Sequence, residues 1–393
     1  PEEIAKFKVI FAISGMFTVV SFAFKPLDGI LAANERFIFS KLAALVHKAG
    51  VVILMVAALL LGYGLYALVI VNAFAGLVLI AMKLFYIKKT TDSEIDFTGG
   101  DKVLIREIAG FSFWTTVILV AQRFFLNITP TILGIFAGSI QIALFSVGMT
   151  IEGYTWSISS ALGGMFLPKV TRMSVADTDM QGIENLMIKV GRIELLILGM
   201  IIIGFASMGH EFMRLWMGID FLNSYYVALL LITPLIISVT QNIGGTALVA
   251  LNKIKYTAIA SLTTAGISIG ISVILSKSYG AVGAATGIFI GWGILRQLIM
   301  NIIYYKVVRI NIFRFFRQCH FKMALPLIIM LVFGLLLQKH FPVENMFLFM
   351  GKAGVFAIAY FVLMWIMALN EYEKGLFVNL VKKVYHILGR NAG

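Results

Sequence analysis

An all-α bundle of membrane-spanning helices is the fold this sequence predicts, and three observations predict it. The 393 residues are 60% hydrophobic and only 13% charged, with a mean hydropathy of +0.96, whereas soluble domains carry about 25% charge. Apolar segments long enough to cross a hydrocarbon core of about 30 Å recur from one end to the other. The connections between them are short and polar, and none is long enough to fold as a separate domain. Backbone polar groups must be satisfied within such segments, so the spans are helical.

About eleven spans are expected. The first three, about 8–32, 41–61 and 64–87, lead into the longest connector, whose Lys88-Lys89-Thr90-Thr91-Asp92-Ser93-Glu94 is polar throughout. The fourth and fifth, about 107–136 and 140–168, fold back on each other at a turn near Gly138. The sixth and seventh cover about 186–207 and 222–250, and the eighth and ninth, about 254–276 and 281–305, meet near Tyr279-Gly280. The last two, about 323–339 and 346–369, precede a basic tail. The domain reading is half of one lobe at 1–90, a cytoplasmic linker at 91–106, a six-helix lobe at 107–310, and two extra helices with the tail at 311–393.

Basic residues orient the bundle. Arg36, Lys48, Lys88, Lys89, Lys169, Arg172, Lys253, Lys255, Lys306, Arg309, Lys382 and Lys383 all fall on one set of alternate connections, together with most of the 32 lysines and arginines. The opposite set has Lys6, Lys8, Arg214, Lys277 and Lys339. The positive-inside rule makes the first set, and the C-terminus, cytoplasmic. The net charge of +13 is then a topology signal that calls for no nucleic-acid partner. One cysteine, Cys319, excludes an internal disulfide, and five scattered histidines give no metal site. The chain opens on Pro1-Glu2-Glu3 without a cleavable signal, as an incomplete or processed product would.

A faint internal repeat is present. Gly29 to Arg36, with Asn34, matches Gly245 to Lys253, with Asn252; Tyr63-Gly64 matches Tyr279-Gly280; and Tyr86-Ile87-Lys88 matches Tyr305-Lys306. The offsets are all about 216–219 residues, six helices, so the repeats are parallel. Helices four to nine make one complete half, and helices one to three match only the end of the other. About 110 residues, three helices, are therefore expected to precede the present start.

Charges inside spans mark candidate sites, because an isolated one at mid-bilayer costs about 2.5–3.5 kcal/mol or more. Arg123 and Glu152 stand on either side of the Gly138 turn. At roughly 1.5 Å per residue each lies about 21–23 Å from the tip, at one shared depth. Arg296 is central in the ninth span, and Lys25 and Asp28 flank Pro26 in the first, three residues apart. Lys352 is expected to snorkel from the last span, and Glu194 to sit near the cytoplasmic interface beside Arg192. Gln122, Asn127, Thr129, Thr131, Thr150, Tyr154, Trp156 and Ser157 are uncharged groups that can bind sugars or hold helices together. Pro130 is a candidate hinge, and Gly287-Ile-Phe-Ile-Gly291 has the small-residue spacing of closely packed helices.

The run Leu126-Asn-Ile-Thr-Pro-Thr-Ile-Leu-Gly134-Ile-Phe136-Ala-Gly138, followed by Phe145-Ser146-Val147 and Leu167-Pro168-Lys169, resembles the seventh and eighth helices of polysaccharide flippases. Asn252-Lys253 and Tyr279-Gly280…Gly283-Ala284-Ala285 fit the same pattern. These are the Wzx-like O-antigen and repeat-unit transporters of the MOP superfamily, relatives of MurJ-type lipid II flippases and MATE drug exporters. The resemblance covers essentially the whole chain and aligns it with helices four to fourteen of a two-lobe, 14-helix protein. It implies a non-enzymatic transporter that flips an undecaprenyl-pyrophosphate-linked oligosaccharide from the cytoplasmic to the periplasmic leaflet of a bacterial inner membrane by alternating access. Membrane lipids, a pathway polymerase and glycosyltransferases are the implied partners, the protein is expected to be a monomer, and no cofactor is expected beyond coupling H+ or Na+. The family usually lines its cavity with helices one, two, seven and eight, and this chain lacks the first two of these.

On this reading Arg123 is the first choice to bind pyrophosphate, since a guanidinium grips phosphate oxygens in a fork; alternatively it pairs with Glu152. Glu152, Gln122, Asn127 and Arg296 complete the expected substrate site. Glu152 is also a candidate for ion coupling, while Lys25 and Asp28 either pair locally or gate cations. A lipid II flippase or a cation/drug antiporter is the nearest alternative, and Arg123 and Arg296 favour an anionic lipid over a cationic drug. A membrane polymerase or ligase would show a large extracytoplasmic loop, and the longest such connection is about 209–221. Asp177-Thr178-Asp179 matches a nucleotide-sugar motif without the α/β domain it needs, and Asn127-Ile128-Thr129 is a glycosylation sequon placed in a span.

Overall fold

Each expected apolar segment is helical over most of its described residues in the computed structural model, which describes residues 2–91, 102–163, 166–175, 180–376 and 378–379. Asp177-Thr178-Asp179 lies outside the described residues. Eight helical stretches among the described residues are long and apolar enough to cross a membrane, and one of them, Ile254–Val308, is 55 residues long. The chain divides into two compact units, Pro1–Asp101 and Lys102–Gly393.

The first unit contains α1 (Glu2–Ala23), α2 (Pro26–Ala33), α3 (Phe37–Leu60) and α4 (Gly64–Thr90). The expected first span is thus broken at Phe24-Lys25, and Pro26, which has no N–H to donate, opens α2. Leu27 and Leu31 of α2 bury against Ile87 of α4, and Phe39 stacks on Tyr86 with ring centroids 3.6 Å apart. Asp28 does not pair with Lys25. Its Oδ1 accepts from Lys83 Nζ of α4 at 2.6 Å. Lys25 has right-handed helical backbone and its carbonyl accepts from Asp28 N at 3.1 Å, so the spacing allows a local pair, but the Asp28 carboxylate is taken by Lys83 of the neighbouring helix.

In the second unit, α5 (Lys102–Phe136) and α6 (Ser139–Gly163) meet at Gly138, whose φ of +90° suits glycine. α5 runs unbroken through Pro130, which leaves the carbonyl of Leu126 without its helical donor. After the short α7 (Leu167–Val175), the 38-residue α8 (Met180–Met217) is the central post, buried along most of its length. The expected seventh span is three helices, α9 (Asn223–Ile232), α10 (Leu235–Thr240) and α11 (Asn242–Ala250). α12 (Ile254–Ile288) doubles back at Gly280 and continues through a π-helical stretch, Phe289–Leu295, into α13 (Arg296–Ile303). The short α14 (Ile312–Phe316) precedes α15 (Lys322–His340) and α16 (Met346–Met367), which pack on α8 within this unit.

Backbone geometry repeats where the sequence does. Glu35 and Asn252 are both left-handed, with φ of 57° and 54°. The amide of Arg36 bonds back to Leu31 O at 2.8 Å, and that of Lys253 to Leu248 O at 2.7 Å. Both are the long-range bond of a Schellman cap. Gly62 and Gly280 also share positive φ. The register differs from the sequence match by one or two residues: the backbone equates Glu35, not Asn34, with Asn252, and Gly62, not Gly64, with Gly280.

The Gly280 hairpin is closed by small residues. A Cβ on Gly287 would stand 2.7 Å from Ser272 Cα, and one on Gly291 2.8 Å from Ser268 Cα, while Ser272 Oγ donates across the hairpin to Ala284 O at 2.8 Å. Gly287→Leu is expected to force the two arms apart at a cost of about 1–3 kcal/mol or more, seen as a lower thermal midpoint of the detergent-purified protein. Gly266→Leu, on the same helix but facing open space, should leave the midpoint unchanged.

Candidate functional site

A cavity of about 240 Å³ lies inside the second unit, between α5, α6, the α9–α11 run and the α12–α13 arm. α5 enters through its inward face, where Ala121, Phe125 and Leu133 are buried. Gln122 at the edge of that face lines the cavity, as does Glu152 of α6. From the far wall comes Arg296, at the first position of α13. Its Cζ lies 4.5 Å from the Trp292 ring centroid, and its Nε donates to Ser261 Oγ at 3.4 Å. Phe125 supports Trp292 with centroids 4.6 Å apart. Glu152 makes no hydrogen bond or ion pair with a described residue, so one carboxylate and one guanidinium share the cavity without neutralising each other.

Three of the five expected substrate residues, Gln122, Glu152 and Arg296, therefore line one space, and two do not. Arg123 and Asn127 are exposed on α5 and outside the cavity wall. Arg123 forms no ion pair with Glu152 or any other described residue. Successive helical residues differ by about 100° in direction, which carries Arg123 away from the face that Gln122 edges. Trp156 lines the cavity. Thr129, Thr150 and Ser157 turn their hydroxyls onto carbonyls of their own helix. Thr129 of the sequon is buried, whereas its acceptor residue Asn127 is exposed on α5.

Other charges sit elsewhere than expected. Lys352 does not snorkel: its Nζ is 2.5 Å from Glu211 Oε2 in a pair with both side chains 5% exposed. Arg192 and Glu194 are both buried within the protein, at 5% and 2% exposure. The Arg192 guanidinium grips Glu373, with Nη2 to Oε2 at 2.9 Å, and donates to the carbonyls of Gln318 and Ala368. Sequence reasoning missed Asn242, Gln297, Trp292 and Tyr304, which also line the cavity. Gln297 follows Arg296 on a single short helix, a proximity that was legible, whereas Asn242 becomes available only through the break after Thr240.

Comparison with known proteins agrees with this fold. Residues 6–226 match a family model described as polysaccharide biosynthesis protein. The probable low-salt glycan biosynthesis flippase Agl15 of Haloferax volcanii is 24% identical over 180 residues, 46% of this chain. The match spans only 38% of that relative's length. The solved structure of the lipid II flippase MurJ in its inward closed conformation superposes with a TM-score of 0.56 at 16% identity, covering 92% of this chain and 73% of that one. That likeness shows a shared fold. The matched family model and the multi-pass helical architecture together make this chain a member of the polysaccharide biosynthesis protein family, within the MOP flippase superfamily.

Proposed function

We propose that the protein carries the head group of a lipid-linked glycan across the membrane, from the cytoplasmic to the periplasmic leaflet of an inner membrane, by alternating access and without covalent chemistry. A sugar phosphate cannot cross hydrocarbon alone, because its hydroxyls and charges would lose water without replacement. The observation that carries the reading is the unneutralised cavity within membrane-spanning helices, where Arg296 lies over Trp292. A guanidinium held on an indole is oriented to fork onto phosphate oxygens. Gln122, Asn242 and Gln297 supply sugar hydroxyls with donors and acceptors, and Trp156 gives a flat apolar surface. At about 240 Å³ the cavity is smaller than the roughly 300–1,000 Å³ of drug-sized sites. It therefore takes a phosphate and one sugar ring, leaving the remaining glycan outside.

A pyrophosphate-linked undecaprenyl oligosaccharide fits this chemistry, as does a related lipid precursor. The unpaired Glu152 favours a second reading, a cation antiporter, and one assay separates the two. Protein in liposomes of zwitterionic lipid is offered a fluorescent glycan-pyrophosphate lipid, and probe in the outer leaflet is followed with a membrane-impermeant quencher. Faster leaflet exchange than in protein-free liposomes, competed by unlabelled glycan lipid and not by organic cations, is expected. Exchange at the protein-free rate, with uptake of a cationic dye, would remove the glycan reading.

A further inference from the structure

Beside the cavity lies a buried polar cluster that shares only Asn242 with the head-group site described above. Its centre is Glu194 of α8, 2% exposed. Glu194 Oε1 accepts from Asn242 Nδ2 at 3.3 Å, and its Oε2 has no partner. Gln241, 1% exposed, is the residue at which α10 stops and α11 begins. Its Nε2 is spent on Asn301 Oδ1 at 2.7 Å, and its Oε1 is also without a partner. α8 reaches this break at its backbone: a Cβ on Gly191, one turn before Glu194, would lie 2.7 Å from Thr240 O. Two buried oxygen acceptors without donors thus lie at a discontinuous helix, the kind of place where a small cation is held in membrane helices.

Charge accounting points the same way. On α8 itself, Arg192 is committed to Glu373, so that pair is neutral. From the Arg317–Phe321 segment, Cys319 is within electrostatic reach of Glu194, and His320 Nε2 is occupied by Thr240 Oγ1 at 3.3 Å and Ile236 O at 3.4 Å. Tyr360 of α16 donates to Leu196 O at 2.8 Å. α10 and α11 carry no ionisable side chain, and Glu152 and Arg296 stand in the cavity beyond Asn242. None of these groups pairs with Glu194. A buried carboxylate with one neutral donor is costly until a positive charge joins it.

We propose that Glu194 and Gln241, at the α10–α11 break, form a site for one monovalent cation, a proton or Na+, distinct from the cavity and joined to it through Asn242. Asn242 lines the cavity with one part of the residue and bonds Glu194 with its amide, so occupancy of one site is felt at the other. The site is independent of which lipid the cavity binds.

The test uses the full chain in detergent without substrate. Thermal midpoints are compared in NaCl and in choline chloride at equal ionic strength, because a ligand that binds only the folded state raises the midpoint. Infrared spectra at neutral pH report any buried carboxylic acid through its carbonyl band. If Na+ is the occupant, NaCl raises the wild-type midpoint above choline chloride, and Glu194→Gln abolishes the difference while Glu152→Gln keeps it. If a proton is the occupant, Na+ has no effect and Glu194→Gln removes an acid band that Glu152→Gln retains. A wild type with neither signal, or signals that survive Glu194→Gln, would overturn the site. Should Glu194→Gln fail to accumulate, Glu194→Asp is expected to weaken the Na+ response or shift the acid band. A wild-type result from that variant counts equally against the proposal. Leaflet exchange without either ion signal would sink this inference alone, and ion signals without exchange would sink only the glycan reading.

Discussion

Replacing Arg296 by alanine is expected to weaken binding of a glycan-pyrophosphate lipid by about 10- to 150-fold, the equivalent of about 1.5–3 kcal/mol for hydrogen bonds to a charged group. Leaflet exchange should fall with it, while membrane insertion and the thermal midpoint stay near wild type, because Arg296 makes only one long hydrogen bond, to Ser261, and one ring contact. Lysine at 296 should recover part of the binding, since it keeps the charge but loses the fork that matches two phosphate oxygens. Trp292→Ala should produce a smaller loss of the same kind by freeing the guanidinium from its platform. Titration of labelled lipid into purified protein measures all three. Unchanged affinity in Arg296→Ala would take the phosphate role away from the cavity and leave Arg123 as the remaining cation.

Removing Lys352 is expected to give the largest loss of stability. Its Nζ bonds Glu211 and also donates to Phe341 O at 3.0 Å, and Glu211 Oε1 accepts from Val343 N at 2.8 Å. One pair therefore ties α8, α16 and the connection before α16. Lys352→Met strands a buried carboxylate, at a cost of about 3–5 kcal/mol. The double change Lys352→Met with Glu211→Gln should restore most of the loss, because the amide oxygen still accepts from Val343 and no charge is left buried. Denaturant midpoints of the single and double variants in detergent check this. A Lys352→Met midpoint equal to wild type would show that the pair contributes nothing.

How much of this was legible beforehand differs from element to element. The α5–α6 turn at Gly138 and the hairpin at Gly280 were readable, since both need backbone conformations that glycine adopts without strain. The repeat was readable to within two residues. The break after Thr240 was not, because Leu235–Ala250 has no proline or charge, and its Gln241, Asn242 and Gly244-Gly245 are all residues that helices packed in a membrane carry without breaking. The missed partners share a cause: Glu211 lies 141 residues from Lys352, and Glu373 lies 181 from Arg192. No local pattern connects positions that far apart.

Sequence alone settled the class of fold, the order of the apolar helices and the position of each charge along its own helix. Hydrophobic length, turn chemistry and rise per residue are local quantities, written into consecutive positions. Only the tertiary structure decided which charges meet. Rotation about the helix axis, and the identity of the helix found in that direction, depend on packing with distant segments. Hence Arg123 and Glu152, at nearly equal spacing from the Gly138 turn, face different surroundings, while Gln122, Glu152 and Arg296, from three separate helices, open onto one cavity.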